Sequence, residues 1–201
     1  MPLLASGGKI PILKKVRRIS TTIFAAVALW WLGVGVSAAD QNDSRLDTLF
    51  AQLLTAPGIG EARPIEISIW EVWTMSDDSA VAELMKESAA AMSRRDYPRA
   101  LRYLDQVVAI APEYAEGWNR RATVYYLAER YEDSLADIAR TLALEPRHFG
   151  ALSGRGLVLT ALEREEEALR SFEEALTIHP HLIGARINAD ALREVLQRQN
   201  I

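Results

Sequence analysis

Few residues of this 201-residue chain are of the types that carry out catalysis or bind metals. The sequence has no cysteine, which excludes thiol nucleophiles, disulfides and cysteine-ligated zinc. Of its three histidines, His179 and His181 flank a proline, but no third metal ligand lies nearby in the sequence. We interpret these two as solvated residues of a turn, and His148 also lies in a predicted turn. The same placement argues against a Ser-His-Asp triad, so we predict no catalytic residue, no metal and no cofactor.

Phosphate and nucleic-acid binding are also poorly supported by the sequence. Gly58-Ile59-Gly60 and Gly154-Arg155-Gly156 are paired glycines, but neither is completed by the further glycine or lysine of a phosphate-binding loop. The segment 1–39 holds five Lys/Arg and no acid, so the rest of the chain carries 18 basic and 27 acidic side chains. A body this acidic argues against nucleic-acid binding.

The basic N-terminus has the pattern of a targeting segment. A basic cluster at 14–18 precedes an uncharged stretch at 19–39, which ends in Ser37-Ala38-Ala39 before a polar run. These are the parts of a secretory signal peptide, so we predict that residues 1–39 are one and are cleaved after Ala39. The alternative is a membrane anchor formed by residues 19–39 and retained in the mature protein. Both interpretations export the body, so we predict a periplasmic location, with membrane contact only through this segment.

The second half of the chain has a 34-residue period, marked by Pro112, Pro146 and Pro180. Apolar residues at helical spacing predict two amphipathic helices in each period, and the proline ends the second of them. Small residues at the eighth and twentieth positions, such as Gly156, let the paired helices approach closely. Large residues fill the space around them, and Trp118 is predicted to be a buried example. The three segments that align in register are 81–114, 115–148 and 149–182.

The middle segment carries the fullest form of this pattern. Its residues are Trp118-Asn119-Arg120-Arg121-Ala122, Tyr125-Tyr126, Tyr131, Ser134, Ile138 and Pro146. Together with the fixed period, the pattern resembles the tetratricopeptide repeat family. The resemblance implies an all-α fold, a right-handed α-solenoid of stacked antiparallel helix pairs. It also implies that the first helices of the pairs line a concave groove that holds a peptide.

Helical segments are predicted on both sides of the repeats. Residues 40–80 are interpreted as an N-terminal helical cap, either a degenerate leading repeat or a cap alone. Alternation over 65–69 leaves a strand open as an alternative to its second helix. Trp70 and Trp73 are expected to pack in the core and to cover the open end of the stack. Residues 183–201 are predicted to form the C-terminal capping helix.

The residues of the first helices that are not used for packing form the candidate binding groove. They mix thioethers, a carboxamide, a phenol and small side chains, which suit a peptide with apolar and polar groups. The family's clamp for a C-terminal carboxylate needs Lys, Arg and Asn at these positions, and Met85, Ala89 and Thr123 do not supply it. The candidate groove residues are Met85, Met92, Asn119, Thr123, Tyr126, Ser153 and Leu157.

From these features we predict a non-catalytic scaffold or adaptor that binds a peptide segment of a protein partner in the cell envelope. Two alternatives stay open. One is a membrane-anchored structural assembly factor, and the other is an enzyme or carrier that acts on cell-wall material. The enzyme alternative is disfavoured because Glu116 is the only acid on the predicted inner face. Paired acid–base catalysis needs two carboxyl groups.

Overall fold

The computed structural model describes residues 40–199, and within this range the chain is helical and contains no strand. The signal peptide or anchor predicted at 1–39 lies outside the described residues. A short 3₁₀ helix at Asp40–Asn42 comes first. The α-helices that follow in this range are α1 (Arg45–Thr55), α2 (Ile59–Thr74), α3 (Ser79–Ser93), α4 (Tyr97–Ile110), α5 (Ala115–Leu127), α6 (Tyr131–Leu144), α7 (Phe149–Ala161), α8 (Glu165–Ile178) and α9 (Ile183–Gln199).

From α3 onward the helices recur with the period read from the sequence. The second helices of the pairs, α4, α6 and α8, begin one period apart, and so do α5, α7 and α9. Each of these helices packs on the helix that follows it in the chain. This is the all-α solenoid of stacked helix pairs that the sequence predicted. The strand considered at 65–69 is wrong, because those residues lie within α2.

The first helix of each pair ends in the same backbone conformation. Arg95, Glu129 and Glu163, which hold the same position in successive repeats, have φ angles of 60°, 58° and 59°. A left-handed residue at this point stops the helix and reverses the chain, and its N–H bonds back to a carbonyl of the last turn. In the first pair the next helix is then capped by Asp96, whose carboxylate accepts a hydrogen bond from the backbone N–H of Arg99.

The small residues at the helix crossings are buried, as predicted. Gly156 shows why, because a Cβ atom there would lie 2.6 Å from the fully buried ring of Phe172. In the middle pair the Ser134 hydroxyl donates to the Ala122 carbonyl at 2.8 Å, which joins the two helices directly. Close approach of the paired helices therefore depends on residues that the period singles out.

Trp118 is half-buried rather than buried, so that prediction is wrong. Its indole N–H donates to the carbonyl of Pro112 at 2.9 Å, and the guanidinium of Arg121 lies 4.9 Å from its ring centroid. Arg121 reaches across the helix pair to the Asp137 carboxylate at 2.7 Å, and this ion pair brings the guanidinium over the outer face of the indole. The outer face of the Trp118 ring is therefore covered by the charged side chain of Arg121, whereas a fully buried ring would be surrounded by apolar side chains.

Helices α1 and α2 form a hairpin that packs on one side of the repeats, where α1 contacts α8 and α2 contacts α5. The apolar faces of both helices share one cluster with Phe149 at the start of α7. Trp73 is buried in this cluster, and Trp70 is half-buried beside it. Both rings contact Phe149, with centroids 5.0 and 5.6 Å away, instead of covering the open end of the stack. The hairpin is therefore positioned by its packing against a turn between repeats, and not by packing against α3.

Candidate functional site

An inner cavity of about 250 Å³ lies between the first helices of the second and third repeats and helix α2. Five of the predicted groove residues line it: Asn119, Thr123 and Tyr126 from α5, and Ser153 and Leu157 from α7. Helix α2 closes one side with Glu66 and Trp70, which the sequence analysis did not assign to the groove. The structure thus brings the predicted residues of two repeats together in one site.

The two predicted methionines do not line this cavity. Met85 packs against the clusters formed around Val81 and Ala91, and Met92 packs against the cluster of Ala91. Both side chains are half-buried. The thioethers are therefore used for packing within the first repeat, and the structure does not bring them to the site.

Asn119 was expected to offer its amide to a bound peptide, but it is engaged inside the protein. Its side-chain nitrogen donates to the Glu116 carboxylate at 2.8 Å, and the residue is only 9% exposed. Its backbone carbonyl accepts the Thr123 hydroxyl at 3.0 Å. The exposed groups that the second repeat offers to a ligand are therefore mainly those of Thr123 and Tyr126.

Gly150 allows α2 to approach α7 closely. A Cβ atom at this position would lie 2.6 Å from the ring of Trp70. Gly184 holds the same position one period later, and a Cβ atom there would meet no atom within 4 Å. The glycine at 150 therefore makes room for the hairpin, and Trp70 forms the wall of the cavity as a result.

The hairpin follows the three turns that connect one repeat to the next. At the first turn the Tyr114 hydroxyl donates to the Thr74 carbonyl at 3.1 Å. At the second, Arg147 pairs with Asp47 at 2.7 Å. At the third, a ring nitrogen of His181 lies 2.8 Å from the Ala56 carbonyl. Because its contacts recur with the repeat, the hairpin is held along the length of the stack and narrows the groove from one side.

A buried polar network anchors the hairpin at the second turn. The ring of His148 is stacked on that of Trp73, with centroids 4.1 Å apart and an interplanar angle of 7°. Its Nδ1 accepts the backbone N–H of Ala151 at 3.0 Å, so Nε2 carries the proton and donates to Glu116 at 3.2 Å. His148 lies in the turn where the sequence places it, and it is fully buried beneath the hairpin.

Glu116 is ionised inside this network. Burial disfavours its charged form, but the hydrogen bonds from His148 and Arg120 and the guanidinium charge of Arg120 outweigh it and hold the pKa below the ordinary 4.5. Asn119 donates a further hydrogen bond to the same carboxylate. The only acid predicted on the inner face is thus fully engaged in structure and is not positioned as a free catalytic acid.

His179 is also buried, against the prediction of a solvated turn residue. Its Nε2 lies 3.3 Å from the Glu66 carboxylate without the alignment of a hydrogen bond, and its ring meets Phe149 edge to face. Burial lowers the pKa of His179 below 6.5 although the Glu66 carboxylate acts in the opposite direction. Its imidazole is therefore neutral at pH 7 and does not supply a positive charge to Glu66.

Metal binding and membrane insertion were also considered for the part of the chain that the structure describes. No group of three or more His, Cys, Asp or Glu among residues 40–199 is placed to hold a metal ion. In the same range, none of the helices combines the length and the apolar character that a membrane span requires.

Comparisons with known proteins agree with this architecture. The sequence profile described as tetratricopeptide repeat matches residues 86–140 and 121–183. A repeat-containing protein of this kind from Rhizobium etli is 36% identical over 102 residues, which are 51% of this chain and 50% of the relative. This chain therefore spans about half the length of the curated relative that it matches.

Two solved structures show the same fold. The first repeat domain of Spaghetti (RPAP3), bound to the HSP90 peptide SRMEEVD, is 21% identical with a TM-score of 0.58, over 60% of this chain and 96% of that one. The Sgt2 domain from Aspergillus fumigatus is 20% identical with a TM-score of 0.59, over 61% and 83% of the two chains.

Proposed function

Because the helix pairs of residues 86–183 belong to the tetratricopeptide repeat family, we propose that this chain is a non-catalytic protein-interaction module. It binds a peptide segment of a partner in the inner cavity beside α2. The observation that carries the proposal is the cavity itself, which collects exposed or half-buried side chains of two successive repeats on one face. The RPAP3 domain with its bound HSP90 peptide supports a peptide as the type of ligand.

The charge of the cavity does not suit an acidic peptide such as the HSP90 peptide SRMEEVD. SRMEEVD contains two glutamates and an aspartate. Of the described residues that line the cavity, Glu66 alone is charged, and it carries the same sign as those side chains. An acidic peptide would meet repulsion and no cation here, so we propose an uncharged or basic segment as the ligand.

Blocking the cavity tests this function. Thr123→Trp places a large ring in the cavity from an exposed position, and we expect it to weaken partner capture at least about tenfold without a loss of folding. The measurement is a photocrosslinker introduced at position 123 in native cells, followed by identification of the attached peptide. Binding of that peptide to both forms of the protein is then titrated.

Thr177→Trp is the matched control for this experiment. Thr177 is also exposed, its hydroxyl also donates to a backbone carbonyl of its own helix, and it lies on α8 outside the cavity. Equal capture by the Thr123→Trp variant and the parent, or crosslinks at 177 and none at 123, would place the binding surface elsewhere.

We also propose that the body is exported as a cell-envelope scaffold or adaptor, on the strength of the basic cluster and apolar stretch of residues 1–39. N-terminal sequencing of the protein from fractionated cells is the measurement. A start at Asp40 in the soluble envelope fraction is the expected result. A start at Met1 in the membrane fraction would favour the retained anchor, and recovery from the cytoplasm would contradict export.

A further inference from the structure

Building on the proposed groove function, we propose that the inner cavity receives a lysine or arginine side chain of the partner segment and pairs its cation with Glu66. The fold alone does not determine which kind of peptide is bound, and a basic side chain is the chemical class that we assign to it. Four features of the described residues carry it: the state of the carboxylate, the charges around it, the walls of the cavity and the charge of the whole body.

Glu66 is a partly buried carboxylate, and no Lys or Arg among residues 40–199 forms an ion pair with it. Its side chain is 31% exposed, and it lines both the inner cavity and a neighbouring cavity of about 300 Å³. Its one ionisable partner within 4 Å among the described residues is His179, which is neutral at pH 7. Removing a carboxylate from water without a compensating charge is unfavourable. A partner that brings a cation therefore gains more here than at a solvated acid.

The other basic residues near Glu66 face the neighbouring cavity. Arg63 and His181 line that space and not the inner cavity. Among the described ion pairs, none joins Arg63 to Glu66, although the two residues lie one turn apart on α2. The side of Glu66 that faces the inner cavity is consequently free to pair with a ligand.

The walls of the cavity suit the aliphatic part of a long basic side chain. Trp70 and Leu157 supply apolar surface, and Thr123 and Ser153 supply hydroxyl groups. Lysine and arginine bury their methylene stems on such surfaces and keep the charged head at a polar rim. A cavity of about 250 Å³ receives one such side chain rather than a folded element.

The net charge of the body acts in the same direction. Beyond residue 39 the chain carries 18 basic and 27 acidic side chains, so a basic segment is attracted before contact and an acidic one is repelled. Association of a basic segment is therefore expected to weaken as salt is raised, whereas apolar contacts with Trp70 and Leu157 are not.

Three blocked pentapeptides test the proposal on the full chain. They share the sequence acetyl-Ala-Leu-X-Leu-Ala-amide, with Lys, Gln or Glu as X, and their affinities are measured by calorimetry at low salt. We expect the Lys peptide to bind about tenfold more tightly than the Gln peptide and the Glu peptide to bind most weakly. Glu66→Gln, which keeps the shape of the side chain, should bring the Lys and Gln peptides within about twofold of each other.

Glu71→Gln is the matched control, because it removes the same charge from an exposed position on the same helix. It should keep the tenfold preference, and thermal melting checks that both variants fold. Glu66→Asp, which keeps the charge, should keep part of the preference. Equal binding of the Lys and Gln peptides to the parent, or an unchanged preference in Glu66→Gln, would overturn the assignment of the cation to Glu66.

The Thr123→Trp variant separates this outcome from failure of the groove function. If the Gln peptide binds the parent and Thr123→Trp abolishes that binding, the groove function holds even where charge makes no difference. If none of the peptides binds, or if Thr123→Trp leaves their binding intact, both the groove site and its preference for a basic side chain are contradicted.

Discussion

Replacing Trp73 with alanine is expected to lower the free energy of unfolding by about 3–5 kcal/mol. The indole is 2% exposed, stacks on His148 and meets the rings of Phe50 and Phe149. Truncation removes the ring contacts of Trp73 with His148 and Phe149 in the repeats and leaves a cavity above the buried imidazole. Because the hairpin is joined to α3 only by a short segment, we expect it to separate from the turns while the helix pairs remain stacked.

Chemical denaturation measures the total loss of stability, and hydrogen exchange locates it. Amides of α1 and α2 should lose protection in the variant, whereas those of α7 and α8 keep it. Trp118→Ala is the control, because the same substitution at a half-buried ring covered by Arg121 should cost less. A larger cost at Trp118 than at Trp73, or unchanged protection in the hairpin, would contradict this account of how the hairpin is held.

The repeats could be predicted from the sequence because their determinants are local. A helix pair is set by residues within one period, and the small residue at 156 and the large one at 172 lie in the same repeat segment. The groove residues of the second and third repeats followed from the same register, which is why Thr123 and Leu157 lie in one cavity.

The position of the hairpin could not be predicted, because it depends on contacts between distant parts of the chain. Tyr114, His148 and Leu182 share one position in the period, and each lies at a turn between successive helix pairs. The recurrence of bulky residues at this position could have indicated that the turns are buried, because large side chains are uncommon in turns exposed to solvent. The structure places all three turns against or beside α1 and α2.

This long-range packing also explains why the site differs from the prediction. With α2 beside α5 and α7, the cavity is bounded by Trp70 and Glu66, and the methionines of α3 do not reach it. Asn119 looked available because its position faces the groove, yet the buried charge of Glu116 engages its amide. The cavity between two repeats and the hairpin therefore contains one acidic side chain, Glu66 of α2, which the repeats alone do not supply.

Replacing Glu116 with glutamine is expected to cost about 2–4 kcal/mol at pH 7. The substitution keeps the volume of the side chain but places an N–H₂ group among donors from Asn119, Arg120 and His148, so that at least one buried donor loses its acceptor. The Nε2 proton of His148 cannot turn elsewhere, because Nδ1 already accepts the N–H of Ala151. The substitution therefore weakens the hydrogen bonds that hold His148 in place, and His148 in turn supports Trp73 of the hairpin.

The pH dependence distinguishes this electrostatic origin from a simple packing defect. The pKa of Glu116 is lowered in the folded state, so its contribution is complete above about 4.5 and is lost as pH falls through the lower folded pKa. The difference in unfolding free energy between the parent and Glu116→Gln should accordingly shrink as denaturation is repeated below pH 4.5. Glu71→Gln, at an exposed position, should change stability by less than about 0.5 kcal/mol. A difference between parent and Glu116→Gln that stays constant in acid would show that the carboxylate is not held ionised by its buried donors.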